Sequence, residues 1–298
     1  MTVEMRNISK RFGKTIALDN VSVSFGGKKI YGLLGNNGAG KSTLFNVITS
    51  RCFADSGGVS LDGNPLDDKS GALSNIYMLG EKNYYPEDMR VKDAIYWASV
   101  FYPDFDKKTA DNLAERFQLP MKNKITNLST GYSTVLKIVI ALSTNAPILL
   151  LDEPVLGLDA RHRDAFYKLL LERYNENPCT IVISTHIISE VASMVEHCVI
   201  IKDGRVIKDS PCEDLLSNGY SVSGTSVMVD EYLTRVQDVI YANNMGGLKT
   251  ACVSGVMPDK NAMPEGLAFG KLNLQEYFIH LMNDGAFESK SQGWERLQ

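Results

Sequence analysis

One run of eight residues could bind a phosphate group. The run GNNGAGKS, residues 35–42, fits the pattern GxxxxGK[ST] and stands between a predicted strand and a predicted helix. Glycines let the backbone turn tightly and aim its N–H groups at phosphate oxygens, and the N-terminus of the following helix favours negative charge. In such a loop Lys41 would reach the β- and γ-phosphates, and the Ser42 hydroxyl would bind Mg²⁺. A chance Gly-rich turn is the alternative, and the flanking elements count against it.

Two adjacent carboxylates end a second apolar run. Residues 148–154, ILLLDEP, are typical of a buried parallel strand that ends in Asp152 and Glu153. Because ligands bind beyond the carboxyl ends of parallel strands, this pair is expected to face the phosphate loop. Asp152 would then hold Mg²⁺, and Glu153 would act as general base toward the attacking water. A pair of solvated loop acids is the alternative, which the phosphate loop disfavours. The two motifs together predict a P-loop NTPase.

The elements that must position these residues alternate along the chain. Short β-like runs at 2–8 and 17–25 precede a strand at 29–34, and a helix is expected from about Lys41 to Ser50. Residues 91–144 read as three helical pieces separated at Pro103 and Pro120. From Ile148 onward strands and helices alternate, with helices at 161–174 and 187–195 and strands at 180–185 and 197–204. This alternation predicts a largely parallel sheet flanked by helices.

The sequence pattern changes near residue 216. Two amphipathic helices follow, one with apolar residues spaced from Val229 to Ile240 and one from Leu274 to Met282. Short strands are expected at 250–257 and 266–272, and a polar tail at 285–298. We therefore predict an ATPase domain at 1–216, with a helical subdomain at about 85–145, and a small α+β accessory domain at 217–298. Whether the accessory domain regulates, dimerises or supports the first stays open.

Composition limits the classes of function. The 31 Lys and Arg against 35 Asp and Glu give a net charge of −4, which offers no basic field for nucleic acid. The 5 cysteines are scattered without a CxxC pair, which favours reduced, packed thiols. The N-terminus lacks the apolar stretch of a secretory signal, and no apolar run reaches the roughly 18 residues that span a bilayer. We expect a soluble cytosolic protein, with any membrane crossing left to another chain.

Further motifs occur in the order found in ABC transporter ATPases, a family that the chain resembles over about residues 2–210. Residues 128–132, LSTGY, are similar to the signature LSGGQ and open a predicted helix. Leu158-Asp159 matches the D-loop, and His186 matches the switch histidine. A lone histidine at a strand end is more often structural, but its place 33 residues after Glu153 favours the functional role. Phe12 matches the aromatic that stacks on adenine, with a core or surface aromatic as the alternative.

This resemblance implies an α/β fold of the ABC type: a mostly parallel sheet core, an antiparallel β subdomain and a helical subdomain. It implies ATP and Mg²⁺ as cofactors. Two ATPase subunits, identical or close paralogues, would close head to tail around two ATP molecules, each held between one Walker A loop and the other chain's signature. A separate transmembrane permease would then hold the pair at the inner face of the cell membrane.

The residues implied for the site form four groups. Glu153 and His186 are the catalytic pair, with His186 contacting the γ-phosphate. The residues that would bind ATP are Phe12, Asn36, Asn37, Gly38, Ala39, Gly40, Lys41, Ser42 and Thr43. Those that would contact the other subunit's ATP are Ser129, Thr130, Gly131 and Tyr132. Mg²⁺ would be bound by Ser42, Glu81 and Asp152.

Some positions depart from the family pattern. Glu81 stands where the Q-loop usually has glutamine; a carboxylate binds Mg²⁺ more strongly but adds negative charge beside the triphosphate. In the signature, Thr130 and Tyr132 replace the usual glycine and glutamine, while Ser129 and Gly131 are kept, so we expect hydrolysis to persist.

Aromatic residues cluster where family members meet the membrane chain. The aromatic residues are Tyr84, Tyr85, Phe101 and Tyr102, and each pair is followed by a proline, Pro86 or Pro103. An exposed docking patch and the ordinary packing of a helical subdomain both account for them.

Three classes of function compete. A single ATPase domain with a small C-terminal appendage resembles the subunits of bacterial peptide and antibiotic exporters, so the leading hypothesis is an exporter motor. A soluble ABC ATPase in DNA repair, chromosome organisation or translation is the alternative, but such proteins typically carry coiled-coil insertions, zinc-binding cysteines or two ATPase domains. A kinase or GTPase is disfavoured by the signature and the switch histidine.

Overall fold

The computed structural model describes residues 1–66, 71–217, 219–236, 238–259 and 263–283. Their packing forms two compact units. The first unit comprises Met1–His186 and Val199–Asp209, and the second comprises Ile187–Cys198 and the described residues from Ser210 onward. The domain boundary predicted at 216/217 thus falls inside the second unit. The predicted polar tail lies outside the described residues.

The secondary structure elements are as follows, in chain order. The strands are β1 (Val3–Phe12), β2 (Thr15–Phe25), β3 (Ile30–Leu34), β4 (Ser56–Leu61), β5 (Asn64–Pro65), β6 (Ile76–Leu79), β7 (Ile148–Asp152), β8 (Thr180–Thr185), β9 (His197–Lys202), β10 (Arg205–Pro211), β11 (Gly219–Thr225), β12 (Val239–Met245), β13 (Leu248–Ser254) and β14 (Ala268–Lys271). The helices are α1 (Lys41–Ile48), α2 (Val91–Phe101), α3 (Lys107–Arg116), α4 (Thr130–Ser143), α5 (Ala160–Glu176), α6 (Ile188–Val191), α7 (Cys212–Ser217), α8 (Ser226–Leu233) and α9 (Leu274–Asn283).

The central sheet has the strand order β10-β9-β3-β8-β7-β6. Strands β3, β8, β7 and β6 run parallel to their neighbours in this set. Strands β3, β7 and β8 are buried along their whole length, which explains why their sequences are mostly apolar. The carboxyl ends of these four strands therefore meet at one edge, as the alternating pattern predicted.

A second sheet covers part of the same core. Its order is β2-β1-β4-β5, and its pairs are antiparallel. Inward-facing side chains such as Val3, Met5 and Phe25 pack with Leu44 and Phe45 of α1, all at most 2% exposed. At about 25 cal/mol for each Å² of apolar surface removed from water, such burial is the main stabilisation of α1 and of the loop before it.

The predicted helical insertion is confirmed as α2, α3 and α4. Pro103 and Pro120 lie in the connections, where proline's missing N–H does no harm. Asp106 caps α3 by accepting a hydrogen bond from the N–H of Thr109, at 3.0 Å. Helix α4 is buried from Ser133 to Ser143, so its apolar residues surround it on all sides.

The second unit contains an antiparallel sheet with the order β12-β13-β11-β14. The predicted strands at 250–257 and 266–272 are confirmed in β13 and β14, and the last predicted helix in α9. The helix expected to run to Ile240 is wrong in its second half, because α8 ends at Leu233 and Val239 lies in β12 opposite Val253. Residues 239–241, VIY, are β-branched and aromatic and fit a pleated sheet. The helix predicted at 187–195 is shorter, spanning Ile188–Val191.

Among the described residues, no helix combines the length and the apolar character needed to cross a membrane.

Candidate functional site

The predicted catalytic residues lie at the edge where four parallel strands end. The phosphate loop follows β3, Glu81 comes soon after β6, Asp152 ends β7 and His186 follows β8. Burial lowers the pKa of Lys41, and the nearby charges of Glu153 and Asp152 partly oppose this by raising it. The structure thus brings the loop lysine and the two carboxylates into electrostatic contact.

The phosphate loop needs glycine at specific positions. Gly40 has a φ of 111°, and a Cβ there would lie 2.5 Å from the carbonyl oxygen of Ala17. A Cβ on Gly35 would lie 2.5 Å from the carbonyl oxygen of Ile201. Gly38, with a φ of 81°, has open space beside it. The first two glycines fit the loop against the sheet, whereas Gly38 gives it a left-handed turn.

The polar groups of this loop are arranged around Lys41, which is only 6% exposed. Its ammonium donates hydrogen bonds to the carbonyls of Gly35, at 2.7 Å, and Asn36, at 3.1 Å. Ser42 is exposed at the first turn of α1. Among the other predicted ATP ligands, Asn36, Asn37 and Gly38 are exposed, Thr43 is half-buried, and Ala39 and Gly40 are buried. The Lys41 ammonium is therefore held inside the loop, of which residues 36–38 are exposed.

Asp152 and Glu153 are held in different ways. Asp152 is 5% exposed and accepts a hydrogen bond from the Ser184 hydroxyl at 2.9 Å. Glu153 has a φ of 46°, a left-handed conformation that costs a non-glycine residue about 1 kcal/mol or more. Its N–H donates to the Ser184 carbonyl at 2.9 Å, which helps to hold this conformation. Ser184 thus contacts both acids, Asp152 through its hydroxyl and Glu153 through its carbonyl.

The carboxylate of Glu153 meets the predicted switch histidine. Nδ1 of His186 lies 2.9 Å from Oε1 of Glu153, and the Thr185 hydroxyl donates to Oε2 at 3.4 Å. His186 remains exposed at 47% of its side chain, against 20% for Glu153. An imidazole that contacts the carboxylate and still faces solvent can orient a general base and reach a bound phosphate.

The oxygen donors at this edge suit Mg²⁺ bound together with a nucleotide. Mg²⁺ prefers hard oxygen ligands and usually takes one or two from protein carboxylates and the rest from phosphates and water. Ser42 and Asp152 supply such oxygens. Among the described residues, no group of three or more His, Cys, Asp or Glu side chains could hold a metal by itself. The site therefore fits a Mg²⁺ that is bound together with a nucleotide.

The predicted third ligand, Glu81, has an exposed side chain, and its backbone is fixed. Its carbonyl accepts a hydrogen bond from Lys137 at 2.8 Å, as does the carbonyl of Gly80, also at 2.8 Å. Burial lowers the pKa of Lys137 to about 8, against the raising effect of the Glu81 charge. Glu81 as a Mg²⁺ ligand stays a prediction.

The signature residues form the first turn of α4. Ser129 caps this helix by accepting a hydrogen bond from the N–H of Tyr132 at 3.2 Å. Thr130 and Tyr132 are exposed, and Gly131 is half-buried. A cavity of about 510 Å³ is lined by signature residues and by Leu158 and Asp159 of the predicted D-loop, and by no residue of the phosphate loop. The signature is therefore open to a ligand other than the nucleotide of its own loop.

Phe12 ends β1 and is 53% exposed, so the core alternative for this aromatic is excluded. The ammonium of Lys10 lies 5.4 Å from the centre of its ring. Stacking of Phe12 on adenine stays a prediction.

The aromatic residues near the Q-loop divide into two sets. Tyr85 and Tyr102 are half-buried, and burial raises the pKa of each to about 12. Tyr102 donates a hydrogen bond to the carbonyl of Ile76 at 3.3 Å. Ordinary packing thus accounts for these two. Tyr84 and Phe101, by contrast, are each 64% exposed.

Sequence reasoning named Phe101 but missed three other exposed apolar residues on α2, which are Tyr96, Trp97 and Val100. Tyr96, Trp97, Val100 and Phe101 are 45% to 64% exposed, and we call them the aromatic ridge. The Trp97 and Phe101 rings stack with centres 6.0 Å apart. Their spacing is that of one helix face, while the opposite face of α2 is buried. An apolar pattern on both faces of α2 was the signal that could have revealed them.

The chain is similar in sequence to known proteins. Residues 18–156 match the family model described as ABC transporter. The chain is 29% identical over 213 residues to the ABC transporter ATP-binding protein YtrB of Bacillus subtilis, over 72% of this chain and 73% of that protein. It is 28% identical over 240 residues to the petrobactin import ATP-binding protein YclP of the same organism, over 77% and 92% of the two chains.

Solved structures share the fold. One, described as an ATP binding subunit of an ABC transporter, has a TM-score of 0.64 and 23% identity over 72% of this chain and 92% of its own. Another, the dimeric structure of MJ0796, a bacterial ABC transporter cassette, has a TM-score of 0.60 and 24% identity over 70% and 98%.

Proposed function

We propose that this chain is the motor subunit of a transporter whose membrane-spanning part is a separate chain. It carries an ABC transporter ATP-binding domain, which hydrolyses ATP. The predicted ABC ATPase fold, the ATPase activity, and ATP with Mg²⁺ as cofactors are confirmed. The observation that carries the proposal is the meeting of Lys41, Asp152, Glu153 and His186 at one sheet edge, with an outward-facing signature on the same unit.

Each residue at this edge would have a different role in hydrolysis. The N–H groups of the loop and Lys41 would bind the β- and γ-phosphates, so that Lys41 exchanges its contacts with Gly35 and Asn36 for phosphate oxygens. Ser42 and Asp152 would hold Mg²⁺, which neutralises phosphate charge when bound. Glu153 would take the proton of the attacking water, and His186 would hold Glu153 in place.

Closing the reaction site needs a second chain. The open signature at Ser129 and the cavity beside it have room for a nucleotide held by another subunit's phosphate loop. The structural relative MJ0796 is described as dimeric. ATP would then join two subunits, and its hydrolysis would let them separate, which gives the alternation that a membrane partner can use.

The aromatic ridge is the surface that we propose for the membrane partner. It exposes Tyr96, Trp97 and Phe101 on one face of α2, close in sequence to Glu81. Large aromatic side chains supply much of the contact area in protein interfaces. Docking there would hold the chain at the cytoplasmic face of the membrane.

The direction of transport and its substrate stay a hypothesis. Export of a peptide or antibiotic-like compound rests only on the resemblance of a single ATPase domain with a small C-terminal appendage to exporter subunits. The relative YclP is named for import, and the name YtrB carries no direction. The comparisons therefore give export no support.

Co-purification tests the proposal as a whole. The tagged chain would be expressed with the membrane protein encoded beside its gene, and the complex isolated in detergent and reconstituted in liposomes. We expect a stable complex whose ATPase activity is abolished by Glu153→Gln without loss of the complex. A chain that hydrolyses ATP alone and binds no such membrane protein would instead be the soluble ABC ATPase of the alternative hypothesis.

A further inference from the structure

A buried lysine connects the end of β6 to helix α4. The ammonium of Lys137 donates to the carbonyls of Gly80 and Glu81, at 2.8 Å each. The carbonyl of Lys137 in turn accepts a hydrogen bond from the Tyr77 hydroxyl at 3.2 Å. Lys137 is 7% exposed and Tyr77 is 8% exposed. Both side chains are therefore largely withdrawn from solvent, and they line a small cavity together with Gly80.

A second connection joins the same two elements. The side-chain amide of Asn83 donates to the Ser133 hydroxyl at 2.9 Å, and that hydroxyl lies 3.2 Å from Oδ1 of Asn83. Ser133 is 8% exposed. We call residues 77–83 the Q-loop segment. It is attached to α4 at Ser133 and at Lys137, about one helical turn apart.

These contacts make separation costly. A buried ammonium that loses its acceptors is left with an uncompensated desolvation penalty. If Gly80 and Glu81 moved away from α4, the Lys137 ammonium would stay buried without these two acceptors. The Q-loop segment and α4 therefore move together more readily than they move apart.

The two ends of this hydrogen-bonded body face different nucleotides. Glu81 belongs to the edge where the chain's own nucleotide would bind, and the first turn of α4 carries the signature. Lys137 lies seven residues from Thr130 on a continuous helix, roughly 10 Å along its axis. A shift at one end is thus transmitted through rigid secondary structure to the other.

We propose that Lys137 and the Asn83–Ser133 pair are positioning residues, which transmit nucleotide binding at the chain's own phosphate loop to the signature that receives the other subunit's nucleotide. This inference rests on the proposed two-subunit sandwich. Coupling of this kind is a free energy shared between two sites, so it changes the ATP dependence of dimerisation more than the affinity of one chain for ATP.

Dimerisation in ATP tests the inference. In a Glu153→Gln background, which would slow hydrolysis, the dimer dissociation constant would be measured by sedimentation with saturating Mg-ATP. Binding of a fluorescent ATP analogue would be measured on the monomer at low concentration. We expect Lys137→Met to weaken dimerisation about tenfold and Asn83→Ala about threefold, each with monomer affinity unchanged within about twofold.

Two further variants separate positioning from folding. Ser143→Ala removes a fully buried hydroxyl of the same helix that donates to Val139, at 2.7 Å, within α4. It should leave dimerisation unchanged. Lys137→Arg keeps a charged donor and should recover part of the loss. Because Asn83 is exposed, Asn83→Ala is expected to fold even if Lys137→Met does not.

The outcomes are distinguishable. The inference is overturned if the Asn83→Ala and Lys137→Met chains dimerise like the parent. It is also overturned if they lose affinity for ATP as monomers to the same extent as they lose dimerisation. Both outcomes leave the proposed function intact. A Glu153→Gln parent that stays monomeric in Mg-ATP would overturn the two-subunit sandwich itself and this inference with it.

Discussion

Nδ1 of His186 and Oε1 of Glu153 lie 2.9 Å apart, and they belong to loops that follow two adjacent parallel strands. Glu153 follows β7 with a left-handed backbone, and its side chain contacts His186 at the end of β8. A strained residue at this position persists because the Ser184 carbonyl and His186 both hold it. The side chains of Glu153 and His186 are therefore already oriented for proton transfer.

Glu153→Gln should nearly abolish turnover while preserving nucleotide binding. The amide has the same size and can still contact His186, but it cannot accept the proton of water. General bases contribute about 10²- to 10⁴-fold, so we expect a loss of at least about 100-fold in kcat. Phosphate release and binding of a fluorescent ATP analogue measure the two quantities. An activity equal to that of the parent would remove Glu153 from its role.

His186→Ala should act mainly on kcat. The change removes the imidazole that holds Glu153 but leaves Lys41 and the phosphate loop intact. We expect kcat to fall by about 10- to 100-fold and KM for ATP to stay within about twofold. His197→Ala is the matched control, because that histidine begins β9 and is not one of the predicted site residues. Equal losses in the two variants would contradict a specific role for His186.

Gly40→Ala should destabilise the chain. The Cβ would meet the carbonyl oxygen of Ala17 at 2.5 Å, and a φ of 111° disfavours any side chain. Strained backbone and overpacking each cost about 1–3 kcal/mol, so we expect unfolding to be easier by at least about 2 kcal/mol. Gly58→Ala is the control, since nothing lies within 4 Å of its Cβ position. Urea unfolding of both variants would show the difference, and similar midpoints would argue against this loop geometry.

Sequence patterns were enough for the parts of the site that depend on local structure. The loop at residues 35–42 and the acids after β7 each carry their own flanking strand, so their place at the sheet edge followed from strand order alone. The contact between His186 and Glu153 needed the neighbouring strands β7 and β8 as well, which only the resemblance to ABC ATPases suggested.

Other features depend on contacts between distant residues. The role of Lys137 could not be predicted from the sequence, because its acceptors lie 56 and 57 residues earlier in the chain. Val239 fitted a helical spacing by coincidence, and its pairing with Val253 in the sheet decided its conformation. In both cases tertiary contacts overrode what the local pattern indicated.

Cys252 should resist alkylation in the folded chain. Burial, together with the nearby Glu276 carboxylate, raises the pKa of its thiol to about 12, so at pH 8 only about one thiol in 10⁴ is ionised. Because the thiolate is the reactive form, its labelling rate should rise about tenfold for each pH unit between 7 and 9. Mass spectrometry after iodoacetamide treatment measures this rate. The half-buried Cys52 provides the internal comparison, and labelling of Cys252 before Cys52 would contradict the predicted burial.

The aromatic ridge should matter for the complex and not for hydrolysis by the isolated chain. Trp97→Ala and Phe101→Ala remove large exposed rings, 45% and 64% exposed, that contact each other, so their loss should cost the fold little. Aromatic anchors at interfaces are often worth about 2 kcal/mol or more, and we expect co-purification with the membrane partner to fall at least about tenfold. The ATPase rate of the isolated chain should stay within about twofold.

The matched control for the ridge is Phe53→Ala, which removes another exposed ring, 75% exposed, from outside α2. It should leave both the complex and the ATPase rate unchanged. If exposed rings stabilised the complex only through general hydrophobicity, Trp97→Ala, Phe101→Ala and Phe53→Ala would weaken it equally. Because large exposed rings contribute to association only where the partner covers them, a loss confined to Trp97 and Phe101 would identify α2 as the docking helix, and an intact complex in both variants would exclude it.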